Sequence, residues 1–70
     1  MNDSIKNSVR EHRKKAKVTQ EDLARVMRVS RQTINSIERG RYIPSLPLAL
    51  RIARFFGCSM DDMFQHEEDN

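Results

Sequence analysis

One cysteine, Cys58, no tryptophan, a single tyrosine, two glycines and two prolines leave this 70-residue chain few of the devices that brace small proteins. A lone thiol has no partner for an internal disulfide, which excludes a cross-linked secreted scaffold and points to a reducing compartment. The only histidines, His12 and His66, stand without ligand spacing, and with Cys58 they make no zinc pattern. No apolar run approaches the roughly 18 residues that a membrane span needs, and the polar opening MNDSIKNSVR has no signal-peptide core. A cytoplasmic location away from membranes is expected. No stretch alternates apolar and polar residues for long enough to predict a strand, so the expected class is all-α. Internal repeats and polar low-complexity tracts are missing too. At 37% hydrophobic and 33% charged the composition is that of a globular chain. The length holds one domain, which buries only about 60% of the surface its unfolded chain exposes.

What is present is unevenly spread charge. Residues 1–57 hold all 13 Lys and Arg against Asp3, Glu11, Glu21, Asp22 and Glu38, for +8, whereas residues 58–70 hold five acids and no base, for −5. An acidic tail thus conceals a basic body inside a net charge of +3 and a pI near 9.5. Such a body is the electrostatic footprint of a polyanionic partner, nucleic acid first among them.

Apolar periodicity predicts five helices. Ile5, Val9, His12 or Arg13, and Ala16 recur at three- and four-residue steps, a first helix that Asp3 or Ser4 would cap. Thr19 with Asp22 makes a capping box in its shorter acidic form, opening a second helix through Leu23, Ala24 and Met27. Ser30 caps a third, whose inner face carries Ile34 and Ile37 and which Gly40 ends in a left-handed turn. Pro44 and Ser45 announce a fourth, LPLALRIARFF, apolar around most of its circumference and so expected to be the most buried, with Gly57 closing it. Ser59 and Asp62 repeat the cap for a short last helix with Met60, Met63 and Phe64. Residues 65–70 read as an acidic, frayed end. Between Met27 and Ser30 there is room only for a sharp turn, so the second and third helices form one rigid unit over residues 19–39. Leu23, Met27, Val29, Ile34 and Ile37 hold it, and Arg31, Gln32, Asn35, Ser36 and Arg39 project outward.

The run TQEDLARVMRVSRQTINSIERGRYIPSLPLALRIARFFGCSMDDMF resembles the Cro/C1-type helix-turn-helix family of phage repressors and small bacterial regulators. The resemblance covers about residues 5–64. It rests on Thr19-Gln20 opening helix two, Val29 to Thr33 opening helix three, Ile37-Glu38-Arg39-Gly40 closing it and Pro44-Ser45-Leu46 opening helix four. It implies a compact five-helix, lambda-repressor-like domain: a sequence-specific transcriptional regulator, expected to be a repressor, that binds double-stranded operator DNA as a homodimer, with no cofactor, metal, small-molecule substrate or catalysis. The other reading of the same domain is an antitoxin-like or other protein-interaction subunit that autoregulates through DNA; no long partner-binding extension follows Phe64.

Carried over residue by residue, the resemblance gives Gln20 a phosphate contact and a buttressing role against the third helix. Arg31, Gln32 and Ser36 fall at base-reading positions: Arg31 suits guanine, Gln32 adenine, and Ser36 discriminates less. Thr33, Arg39, Arg41 and Tyr42 are placed for sugar and phosphate, which fixes register. The family pattern pairs Arg13 with Glu38 as a structural ion pair. Cys58 takes a position usually apolar and is expected as a buried thiol. Relatives usually place Gly in the turn after helix two, where this chain has Arg28; a left-handed residue there costs a non-Gly side chain about 1–2 kcal/mol. For dimer contacts the expected surface follows the fourth helix, at Cys58, Met60, Met63 and Phe64, away from the self-repelling basic first helix; the alternative is that these residues close the protomer's own core.

Overall fold

In the computed structural model, which describes residues 4–67, the order of elements is β1 (Ile5–Asn7), α1 (Val9–Lys15), α2 (Gln20–Met27), α3 (Arg31–Glu38), α4 (Leu46–Phe55), α5 (Met60–Met63) and β2 (Phe64–His66). Four of the five helices start on the predicted hydroxyl. Ser30, Ser45 and Ser59 accept from the amides of Thr33, Leu48 and Asp62. At α2 the box is reciprocal: the Thr19 hydroxyl accepts from the Asp22 amide at 3.0 Å and the Asp22 carboxylate accepts from the Thr19 amide at 3.3 Å. Hydrogen bonds from Thr19, with Arg25 beyond them, hold the Asp22 carboxyl below the usual carboxylate range.

The first four helices also end alike, whereas α5 runs into extended backbone at Phe64. Lys17, Arg28, Gly40 and Gly57 all have positive φ, between 60° and 74°. Each donates its amide to the carbonyl three residues back, and the next residue donates five back: Val18 to Arg13, Val29 to Ala24, Arg41 to Ser36, Cys58 to Ala53. This six-to-one closure satisfies carbonyls that the helix leaves open. Arg28, at φ 60° and ψ 43°, is therefore left-handed despite its side chain. Val18, Val29 and Cys58, each just past a left-handed residue, fold back onto the core.

That core joins all five helices, with Val9, Leu23, Ile34, Ile37, Ile52 and Met63 fully enclosed. Helix α4 buries Leu48, Ala49, Ile52 and Ala53 but leaves Leu46 64% and Leu50 37% exposed, so its apolar girth is divided between the core and the outside. Of the residues expected at a dimer contact, Met63 is fully buried, while Cys58, Met60 and Phe64 pack against the core and stay half-buried.

The strictly all-α expectation is corrected by a two-stranded antiparallel ribbon pairing Ile5 with His66, Lys6 with Gln65 and Asn7 with Phe64. The Glu67 amide extends it by donating to the Ser4 carbonyl. Residues 65–67 are thus tied to the opposite end of the chain instead of frayed; residues 68–70 lie outside the described residues. The first helix starts at Val9, not near Ile5, because the Asn7 carboxamide oxygen accepts from the Val9 amide and Ser8 donates through its amide to Met63. Short polar side chains compete with the helix for backbone groups in this way. Of the caps expected there, Ser4 precedes β1 and Asp3 is outside the described residues. Ala16, expected on the inner face, is exposed as the C-cap of α1.

Candidate nucleic-acid interface

Helix α3 carries the exposed polar face predicted for it, on a support that fixes both its ends. Ile34 and Ile37 are buried against α2 and the core, which turns Arg31, Gln32 and Arg39 outward to solvent, with Asn35 and Ser36 half-buried beside them. At its C-terminal end the Arg13 guanidinium grips Glu38 in a two-point fork, Nε to Oε2 at 2.7 Å and Nη2 to Oε1 at 3.2 Å, while Nη1 donates to the Val18 carbonyl. Both side chains are largely enclosed, 12% and 4% exposed. The expected structural pair is formed, and it ties α1 to α3.

Gln20 completes the brace. Its Nε2 donates to Asn35 Oδ1 at 3.2 Å and to Glu38 Oε1 at 3.1 Å, so the buttressing expected of it is visible as two hydrogen bonds from the first residue of α2 to the flank of α3. Asn7 adds a tie that sequence reasoning did not single out: Nδ2 donates to the Ile37 carbonyl at 2.8 Å, fastening the ribbon to the last turn of α3. Arg51 likewise donates to the Met27 carbonyl at 3.2 Å, closing the end of α2 from α4. No spacing rule marks Asn7 or Arg51, because each acts on a backbone group distant in sequence.

Beside α3 the surface is grooved on both flanks. On one side Gln32, Thr33, Ser36 and Tyr42 border an open cleft of about 280 Å³. Here Thr33 shares a 2.8 Å hydrogen bond with the capping Ser30 hydroxyl, and Tyr42 is 47% exposed. On the other, Thr19, Gln20, Glu21 and Arg31 border one of about 390 Å³. A third, of about 210 Å³, lies where α1 meets the far end of α3, with Arg10, Lys14 and Arg39 around Gln20, Asn35 and Glu38. Arg41 is exposed just past Gly40. All eight residues singled out from the sequence thus lie on α3, on the start of α2, or on the segment leaving α3. Arg10 and Lys14 were not among them, since on α1 they read only as surface charge.

Elsewhere, burial pushes the Cys58 thiol up from its usual range, with the Asp62 carboxylate adding to the effect, and its side chain packs on the core. His12 hydrogen-bonds Ser8 and stands 5.8 Å from the Phe56 ring. Among the described residues no three His, Cys, Asp or Glu side chains are grouped to hold a metal ion. None of the described helices is long and apolar enough to cross a membrane.

Comparison with known proteins agrees with this geometry. The helix-turn-helix family model matches residues 9–63. An HTH-type transcriptional regulator of Methanocaldococcus jannaschii is 51% identical over 65 residues, covering 93% of this chain and 98% of its own. Another, of Bacillus subtilis, is 46% identical over 66 residues, covering 94% and 100%. Among solved structures, the clp gene regulator ClgR of Corynebacterium glutamicum superposes with a TM-score of 0.71 at 33% identity, over 77% of this chain and 57% of its own. The SOS-response transcriptional repressor LexA of Eubacterium rectale gives 0.76 at 26% identity, over 89% and 66%.

Proposed function

Since this chain belongs to the Cro/C1-type helix-turn-helix family of DNA-binding transcriptional regulators, we propose that it is a repressor whose α3 enters the major groove of an operator and reads bases through Arg31, Gln32 and Ser36. The observation that carries this reading is the brace beneath α3. Gln20, Arg13 and Glu38 hold the helix from its inner flank while Arg31 and Gln32 stay exposed on its outer one. A preorganised face loses little freedom on binding, and specificity needs side chains held in register with base edges. The Arg31 fork matches guanine O6 and N7, and the Gln32 amide matches adenine N6 and N7. Thr33, Arg39, Arg41 and Tyr42, with Gln20, lie around that face and supply sugar and phosphate contacts that set its register.

The unit is one domain, acts in the cytoplasm and binds as a homodimer, with neither reaction nor cofactor. One module buries only about 600–1,000 Å² on DNA, so two on one duplex are the route to tight binding. Cys58, Met60 and Phe64 pack half-buried on the core, whereas Ile43, Leu46 and Leu50, on the approach to α4 and its first half, are among the exposed apolar side chains, with Val26 and Phe55, and follow the end of α3 in sequence. We assign the contact between protomers to Ile43, Leu46 and Leu50. Repression follows from occupancy alone: a small domain seated across a promoter blocks it without a second activity, and a relative in structure, LexA, is named a repressor. The test is to enrich duplexes from a random pool with the purified protein, place the enriched site across a reporter promoter, and express the protein in trans. Reporter output falls if the reading holds; increased output, or no enrichment over random DNA, overturns it.

A further inference from the structure

We infer that the cleft between α1 and α3, rimmed by Arg10, Lys14 and Arg39, is a second anion site that holds a phosphodiester of the bound DNA backbone; the inference rests on the DNA-binding reading above. Its floor is electrically settled. The Glu38 carboxylate is matched by Arg13, and its Oε1 also accepts from Gln20, whose amide is shared with Asn35. The rim is not settled. Among the described residues the ion pairs are Arg13 with Glu38 and Arg25 with Asp22, so Arg10, Lys14 and Arg39 have no carboxylate partner. Three cations around one cleft of about 210 Å³ repel each other, and a bound anion relieves that repulsion.

The arrangement is also directional. Arg10 and Lys14 are four residues apart on α1, one turn, and so share a face, whereas Arg13 between them turns inward to Glu38. Arg39 comes from the end of α3, and Gln20 and Asn35 line the cleft from α2 and α3. A DNA strand running past the Gln20 flank of a groove-bound α3 therefore passes the cleft mouth. Contacts there extend the footprint onto α1 without reading sequence. Neither Arg10 nor Lys14 touches the base-reading face, so their part is to add affinity uniformly.

The experiment titrates wild-type protein, Arg10→Gln, Lys14→Gln and the double variant against an enriched duplex and a random duplex across a salt series, with melts to confirm folding. Arg54→Gln, exposed on α4 and lining none of the three clefts beside α3, is the charge-matched control. Each neutralised phosphate contributes about 0.9 to the slope of log K against log salt. The expected result is a slope shallower by about 0.9 for the double variant, which removes both α1 cations from the one bound phosphodiester, and by a smaller amount for each single variant. Both duplexes weaken by the same factor, and the control is unchanged. Slopes equal to wild type, an equal loss in Arg54→Gln, or an altered base preference would each overturn the cleft assignment. If in that case Arg31→Ala still loses base preference, the DNA-binding reading stands without it. If wild-type protein shows neither salt dependence nor preference, both fall together.

Discussion

Arg28 and Lys17 hold the left-handed backbone that Gly40 and Gly57 hold elsewhere, and each bears a Cβ that this conformation disfavours by about 1–2 kcal/mol. Replacing Arg28 by glycine removes that strain but frees the unfolded chain, which takes back about 0.5–1 kcal/mol. Arg28→Gly is therefore expected to be neutral or stabilising by up to about 1 kcal/mol in urea melts. A clear loss of stability would contradict the left-handed assignment. Arg28 was legible only through the family pattern, which has glycine there. Lys17 was not legible at all, because nothing in KKAKVT distinguishes a left-handed lysine from a helical one; the amide bonds of Lys17 and Val18 do. Cys58, expected buried, is half-buried against the core, and the reason is local: it follows a left-handed residue and folds onto the core, as Val18 and Val29 do.

For whole elements, hydroxyl caps and apolar spacing located α2, α3, α4 and α5, since each signal is confined to one turn. The ribbon escaped because three-residue strands are too short to display period two, and because Ile5 precedes Val9 by a helical interval although it reaches its place in an extended conformation. The register of α3 depends on pairs such as Arg13 with Glu38, separated by 25 residues and legible only by resemblance. Removing one partner leaves the other charge enclosed. Glu38→Ala is expected to destabilise by about 3–5 kcal/mol, and a joint change of Arg13 to Met and Glu38 to Leu to recover most of it. Denaturant unfolding of the two variants beside the wild type checks this. A loss below about 1 kcal/mol for Glu38→Ala would mean that the pair behaves as a surface bridge and does not anchor α3.

At the scale of the molecule, charge is divided along the chain as the sequence foretold, with bases in excess on α1, on α4 and on the segment leaving α3, and with acids on α5. Met63 closes the core while Met60 and Phe64 pack half-buried against it, whereas the longer α4 leaves Leu46 and Leu50 more exposed, which is why the proposed contact between protomers is placed there. Sedimentation with a palindromic duplex should show two protomers per duplex, and Leu50→Glu should reduce this to one at the same protein concentration. Unaltered stoichiometry in that variant would move the contact elsewhere. The two-fold arrangement sets the half-sites roughly 34 Å apart, about 10 base pairs.

The central claim, that α3 reads bases while its surroundings grip the backbone, is tested most directly by comparing Arg31→Ala with Arg41→Ala on a panel of single-base variants of the enriched site. Arg31→Ala is expected to cost about 1–3 kcal/mol on that site and to erase preference at one base position, whereas Arg41→Ala weakens every duplex by a similar factor and leaves the preference profile intact. Identical profiles for the two variants, or loss of preference in Arg41→Ala alone, would contradict the account.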